Sequence, residues 1–336
     1  MKFGLLIGDT ATSATPPSEW LADCLRMAVA AEGAGFDSLA IGQHFAAYPK
    51  VYPQPIPLLA RIAGEVQSLR LITGILLLPL LPPVEVAEQI ATLDVISGGR
   101  VIMGVGAGYR EDEFLAFGIP FEQRVSRLAE SLAVIKLLWT GDPVDFSGKH
   151  FQLSNIRCGI RPLQQPGPPI WMAGSVDAAV RRAATLADAF YGYTRSDIDL
   201  LSSQQSLYRQ SLAERGRKDP GELSLRREVF IAETSGLAWE RAEALIGPHL
   251  VAIDSWGMSK DLGKAGSGAA SFRDYARGRF IIGDPDECAT QVEAYRQRIG
   301  TCHIVTRIRW PGMSVAEGES AVKLFGAEVV SRFRLD

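Results

Sequence analysis

Four histidines, His44, His150, His249 and His303, are the only imidazoles in the chain. They are dispersed, with no HExxH run or histidine–carboxylate cluster beside them, so no local metal-binding motif is present and no metal is expected. His44 stands apart because it closes Gly42-Gln43-His44-Phe45 directly after a short apolar run. An imidazole there can act as general acid or base, donate to a cofactor, or be a satisfied structural residue. Two further places carry glycine. Gly104-Val105-Gly106-Ala107-Gly108-Tyr109 permits close backbone approach to a flat ligand, or merely eases a tight turn. In Ala173-Gly174-Ser175-Val176-Asp177 the free N–H groups of a starting helix favour a phosphate and Ser175 adds a hydroxyl donor, unless Ser175 or Asp177 only caps the helix. Tyr193 ends another apolar run. Arg307 and Arg309 share one strand face by period two and would suit an anionic group if that face points to the site.

Several chemistries are excluded. Neither Gly104-x-Gly106-x-x-Tyr109 nor Gly106-x-Gly108-x-x-Glu111 completes the dinucleotide fingerprint, and no phosphate-binding GxxxxGK[ST] loop occurs. A GxSxG nucleophile elbow is missing too. Lys and Arg number 35 against 38 Asp and Glu, a formal net charge of −3, so neither a nucleic acid nor an anionic membrane surface is an expected partner. The most apolar window, Leu71 to Leu81, is broken by Gly74 and Pro79 and falls short of the roughly 20 residues a membrane span needs. Cys24, Cys158, Cys288 and Cys302 lie far apart without a CxxC pair, which predicts reduced structural thiols in a cytoplasmic protein.

The elements that must position these residues follow a regular alternation. Apolar runs at Phe3–Ile7, Ser38–Ile41, Leu71–Leu78, Val101–Val105, Ile170–Ala173, Ala187–Tyr191, Leu223–Ala232 and His303–Ile308 read as strands. Helical stretches intervene, among them Glu19–Glu32, Arg124–Leu138, Asp177–Leu186, Asp197–Arg215 and Val315–Arg332. Eight strand–helix units without a composition break predict one α/β domain over 1–336, a TIM (β/α)8 barrel, rather than two domains. Two insertions are expected. The first, about 140–168, carries a small hairpin around Ser147-Gly148. The second, about 254–282, reads either as a mobile lid over the barrel mouth or as a surface insertion. In such a barrel the strand C-termini form the site, which gathers His44, Leu77, Gly106, Tyr109, Gly174, Tyr193 and Arg307 at one end.

Taken together, the segments resemble the bacterial luciferase-like flavin monooxygenase family over almost the whole chain. The resemblance is carried by Ala31-Glu32-Gly33-Ala34-Gly35-Phe36-Asp37-Ser38, by Gly42-Gln43-His44-Phe45 and by Ala91-Thr92-Leu93-Asp94-Val95-Ile96-Ser97-Gly98-Gly99-Arg100. Gly104 through Tyr109, Glu113, the Ala173-Gly174-Ser175 turn and Arg309-Trp310-Pro311-Gly312-Met313 continue it. It implies a luciferase-like barrel, commonly a homodimer, which receives reduced FMN from a separate flavin reductase. O2 and the flavin would then oxygenate a small organic substrate through a C4a-(hydro)peroxyflavin. His44 falls on the family's catalytic histidine and Gly174, Ser175 and Val176 on its phosphate turn. Thr73, Leu77, Gly106 and Tyr109 fall beside the ring, and a non-prolyl cis peptide is expected near Leu77-Leu78. A phosphate-binding arginine of some members falls on Ala107, with Arg110 nearby, and Gln43 replaces a common polar partner. Ile75, Leu76, Leu77 and the 254–282 segment would exclude water. Two alternatives accompany this reading: a hydride-transferring reductase or dehydrogenase using 8-hydroxy-5-deazaflavin, and a non-catalytic flavin-binding barrel.

Overall fold

Parallel strands buried on both faces read as continuous apolar runs, and they need helices to cover them. The computed structural model, which describes residues 1–221, 223–254, 271–300 and 302–334, arranges the runs in that way. The chain passes through β1 (Lys2–Ile7), α1 (Pro17–Gly33), β2 (Ser38–Ile41), α2 (Pro55–Ala63), β3 (Arg70–Leu77), α3 (Pro83–Ile96) and β4 (Val101–Gly106). Next come α4 (Glu111–Ala116), α5 (Arg124–Thr140), the strands β5 (Val144–Ser147) and β6 (Gln152–Ile156), β7 (Ile170–Gly174), α6 (Asp177–Leu186) and β8 (Ala189–Gly192). The remainder is α7 (Ile198–Ala213), β9 (Leu223–Ile231), α8 (Ser235–Asp254), α9 (Phe272–Ala276), β10 (Ile281–Gly283), α10 (Pro285–Ile299), β11 (Cys302–Arg307) and α11 (Val315–Glu328).

Eight of these strands, β1, β2, β3, β4, β7, β8, β9 and β11, close into a parallel barrel. Leu6, Ala40, Ile72, Ile102, Trp171 and Val305 fill its interior, while Leu5, Leu39, Leu71 and Ile304, one residue out of phase, pack on the helices. The ring closes unevenly. β9 pairs with β8 only at Ser224 and Leu225, then takes β10 as its neighbour from Val229 to Ile231. At this fork the Arg227 side chain fills the gap. Its guanidinium, fully buried, donates to the carbonyls of Tyr193, Thr194, Arg226 and Ser196 and to the Tyr295 hydroxyl.

The insertion expected at 140–168 is the antiparallel β5–β6 hairpin. The one expected at 254–282 is described only in part. Residues 255–270, which include the glycine-rich stretch expected to form a lid, lie outside the described residues, and the rest is α9 and β10. Four elements were not anticipated: α4, α9 and β10 are too short to show a period, and α8 carries Pro248 in its interior. Among the described residues no helix is long and apolar enough to cross a membrane.

Candidate active site

The strand C-termini form a mouth of two unlike halves. On one side the inward positions above the apolar layer are Gly42, Gly74, Gly104 and Ala173, so little side chain stands there. β3 carries an extra residue against β4 between Thr73 and Leu76, and the peptide Gly74–Ile75 is cis. The cis peptide expected at Leu77-Leu78 therefore lies three residues earlier, where the bulge re-aims the strand. Ile75 leans over β4: a Cβ on Gly106 would sit 2.0 Å from its Cδ1, and one on Gly104 only 2.1 Å from the Thr73 carbonyl oxygen. Gly106 thus makes room for Ile75, and the partly exposed Ile75 forms the floor. Thr73 is wholly buried with its hydroxyl on the Gly104 carbonyl, so its side chain supports the floor from behind. The Leu77 amide donates to Gln43 Oε1 at 2.8 Å, and the Gln43 amide donates to Gln54.

His44 stands at the rim of this half. Its Nδ1 lies 2.9 Å from Oε1 of Glu113, a carboxylate with no exposed surface. The same oxygen accepts from the Phe45 amide and from Arg110, which also holds the Phe45 carbonyl. Arg110 is thereby committed to the loop. A carboxylate accepts, so Nδ1 carries a proton, and Nε2 lies 3.5 Å from the Tyr109 hydroxyl. Tyr52 closes the other edge, its ring 4.8 Å from that of His44. Burial pushes the Tyr52 phenol up to about 12 and Tyr109 further still, so both remain donors at neutral pH. Tyr193 lies near enough to Tyr109 to influence it.

Across the glycine floor, β7 delivers Gly174, Ser175 and Val176 to the start of α6. Gly174 is required by the helix itself, since a Cβ there would meet Ala179 Cβ at 2.4 Å. The N-cap is Val176, without a side-chain hydrogen bond, so neither Ser175 nor Asp177 caps the helix. An uncapped N-terminus leaves first-turn N–H groups for an anion. Arg182, in the second turn of α6, has its pKa lowered by burial and by the Arg124 charge at the start of α5.

A sequence model of the luciferase-like monooxygenases matches residues 1–302. The chain belongs to that family. Among curated relatives, the oxygenase component of the flavin-dependent trigonelline monooxygenase of Acinetobacter baylyi is 30% identical over 176 residues, 52% of this chain and 49% of that protein. The chain spans about half the length of the curated relatives it matches. Among solved structures, the oxygenating constituent of 3,6-diketocamphane monooxygenase from Pseudomonas putida, in complex with FMN, superposes with a TM-score of 0.85 at 21% identity, covering 99% of this chain and 98% of that one. The coenzyme F420-dependent tetrahydromethanopterin reductase of Methanopyrus kandleri gives 0.79 at 21% identity, covering 99% of both chains. Both likenesses concern the fold.

The other half of this luciferase-like mouth is charged. Arg226 and Glu228 stand on the inward face of β9, Arg307 ends β11, Asp9 follows β1, and His249 reaches in from α8. Arg226, Glu228, Asp9, His249, Tyr52 and Glu113 were not singled out as site residues from sequence. The signal for the β9 pair is two charges at i and i+2 inside a strand otherwise buried on both faces. Arg309 departs from its expectation. β11 stops at Arg307, so the period-two rule lapses, and Arg309 turns outward to Asp23 of α1 at 2.7 Å. There it lines a cavity of about 350 Å³ with Trp20, Asp23 and Met313, whose wall also includes Asp9 of this charged half.

Proposed function

We propose that the protein is a flavin-dependent monooxygenase, the oxygenase partner of a separate flavin reductase, acting on a small organic substrate. The observation that carries this reading is a pair of features on one barrel mouth: His44 braced by the buried Glu113, and the start of α6, whose N-cap Val176 makes no side-chain hydrogen bond. The residues fit FMN. Ser175, the first-turn amides of α6, Arg124 and Arg182 would hold the phosphate, and Ile75 would lie under the ring. When bound, reduced FMN supplies the electrons by which O2 delivers one oxygen atom to the substrate. The chain's own groups supply the rest. Glu113 fixes the His44 tautomer, so Nε2 can take up or release a proton toward the mouth. Tyr109 and Tyr52 donate hydrogen bonds beside it, and Ile75, Leu77 and Phe45 keep water away.

The family name and the two-component relative support the oxygenase reading. The fold shared with an F420-dependent reductase supports a second, hydride transfer with 8-hydroxy-5-deazaflavin. Titration with reduced FMN and with reduced deazaflavin, followed by oxygen uptake with and without a reductase, separates them. In the FMN reading, His44→Ala keeps flavin binding but lowers product formed per flavin oxidised by roughly tenfold or more, with hydrogen peroxide in its place. Full coupling in that variant would remove His44 from the chemistry.

A further inference from the structure

The charged half holds more hydrogen-bond donors than its own acceptors satisfy. Arg226 Nη2 meets Glu228 Oε1 at 3.0 Å, and Arg307 Nη2 lies 3.3 Å from Asp9 Oδ2 but outside hydrogen-bond geometry. Arg226 Nε, Arg307 Nε and Nη2 and the Tyr191 hydroxyl make no hydrogen bond, against two bare acceptors, Asp9 Oδ1 and Glu228 Oε2. Arg307 is fully buried and Tyr191 nearly so. Bare buried donors on guanidinium groups are costly unless an acceptor arrives.

One Arg307 donor already has a substitute acceptor. Its Nη1 lies 2.5 Å from Nε2 of His249, a nitrogen that accepts only in the neutral ring. Burial, with Arg307, Lys50, Arg226 and Arg195 adding their charge, holds the His249 pKa far below its ordinary value. A neutral lone pair therefore occupies a place where an oxyanion would make a stronger, charge-assisted contact with a planar fork of donors.

We infer that the substrate is a small organic anion, a carboxylate or sulfonate received by Arg226 and Arg307 with Tyr191 as third donor, an inference that rests on the mouth being the monooxygenase site. The oxyanion displaces His249 from Arg307. Its organic body then extends toward Tyr52, Tyr193 and the glycine floor.

The test uses the full chain and three matched probes, benzoate, benzenesulfonate and benzamide, titrated calorimetrically at fixed ionic strength. Saturating FMN is present in one series to fill the α6 site and absent in another. At least one anion is expected to bind about tenfold tighter than benzamide with FMN present, and the preferred one tells carboxylate from sulfonate. Arg226→Met abolishes the preference, and Arg226→Lys retains part of it. The inference is overturned if benzamide binds as well as both anions, if no anion binds, or if the preference survives Arg226→Met. The wild-type comparison decides even if that variant does not fold. FMN binding in the same preparation judges the monooxygenase reading separately: its loss with anion preference intact sinks that reading and leaves the anion site standing.

Discussion

The two halves of the mouth solve opposite problems. On the glycine side, space is made by leaving side chains out, and one residue, Ile75, is turned across β4 to form a floor. On the charged side space is filled, with Arg226, Glu228, Arg307, Asp9 and His249 in contact and several of their polar atoms unmatched. The first arrangement suits a flat, largely apolar ring and the second a charged group. A barrel can host both because inward positions on neighbouring strands need not agree: the apolar layer beneath is common to the two.

The contrast can be broken from either side. The largest effect is expected from Gly104→Ala, whose Cβ would press on a backbone oxygen that cannot step aside. It should cost about 3 kcal/mol or more in a denaturant melt. Gly106→Ala presses only on the Ile75 side-chain tip, so an Ile75→Val background should recover most of its stability; no recovery would show that Ile75 does not set the floor. Next comes Glu113→Gln. It should lower product per flavin oxidised by about 10- to 100-fold while leaving anion binding on the far side unchanged, as expected of a group acting through His44. Ser175→Ala should weaken FMN by about fivefold, near 1 kcal/mol, with no change in anion preference. A parallel change in both would unite the halves into one site. The smallest effect is a pH dependence. Burial first, then the Arg307 charge, pull the Lys50 amine down to about 8, with Asp9 opposing and Arg110 adding. The amine loses its charge as pH rises through 8, so anion affinity should fall about two- to threefold between pH 7 and 9, and Lys50→Met should flatten the curve.

How far the sequence disclosed this depends on the kind of contact. Strand ends were legible because apolar runs stop at recognisable residues, and His44 and Ser175 follow two of those stops. The eightfold alternation was legible for the same reason. Pairings across the mouth were not. His44 and Glu113 are 69 residues apart, and their meeting depends on how the loop after β4 folds back over β2, which no periodicity encodes. Arg226 and Glu228 were absorbed into an apolar strand, although charges on one face of a buried strand need partners. Arg309 failed differently: a period-two pattern was extended beyond the point where the strand ends.

Arg227 also has a meaning beyond its bonds. Where β8 and β9 separate, one guanidinium spans four carbonyls, taking over from a hydrogen-bonded ladder that has run out. Ring closure, a property of the whole topology, is thus concentrated in one side chain rather than distributed along an edge. A lesion at that residue would remove no apolar packing from the barrel interior, yet it would set free the margin of the β8–β9 seam, beside β10, whose one strand partner is β9.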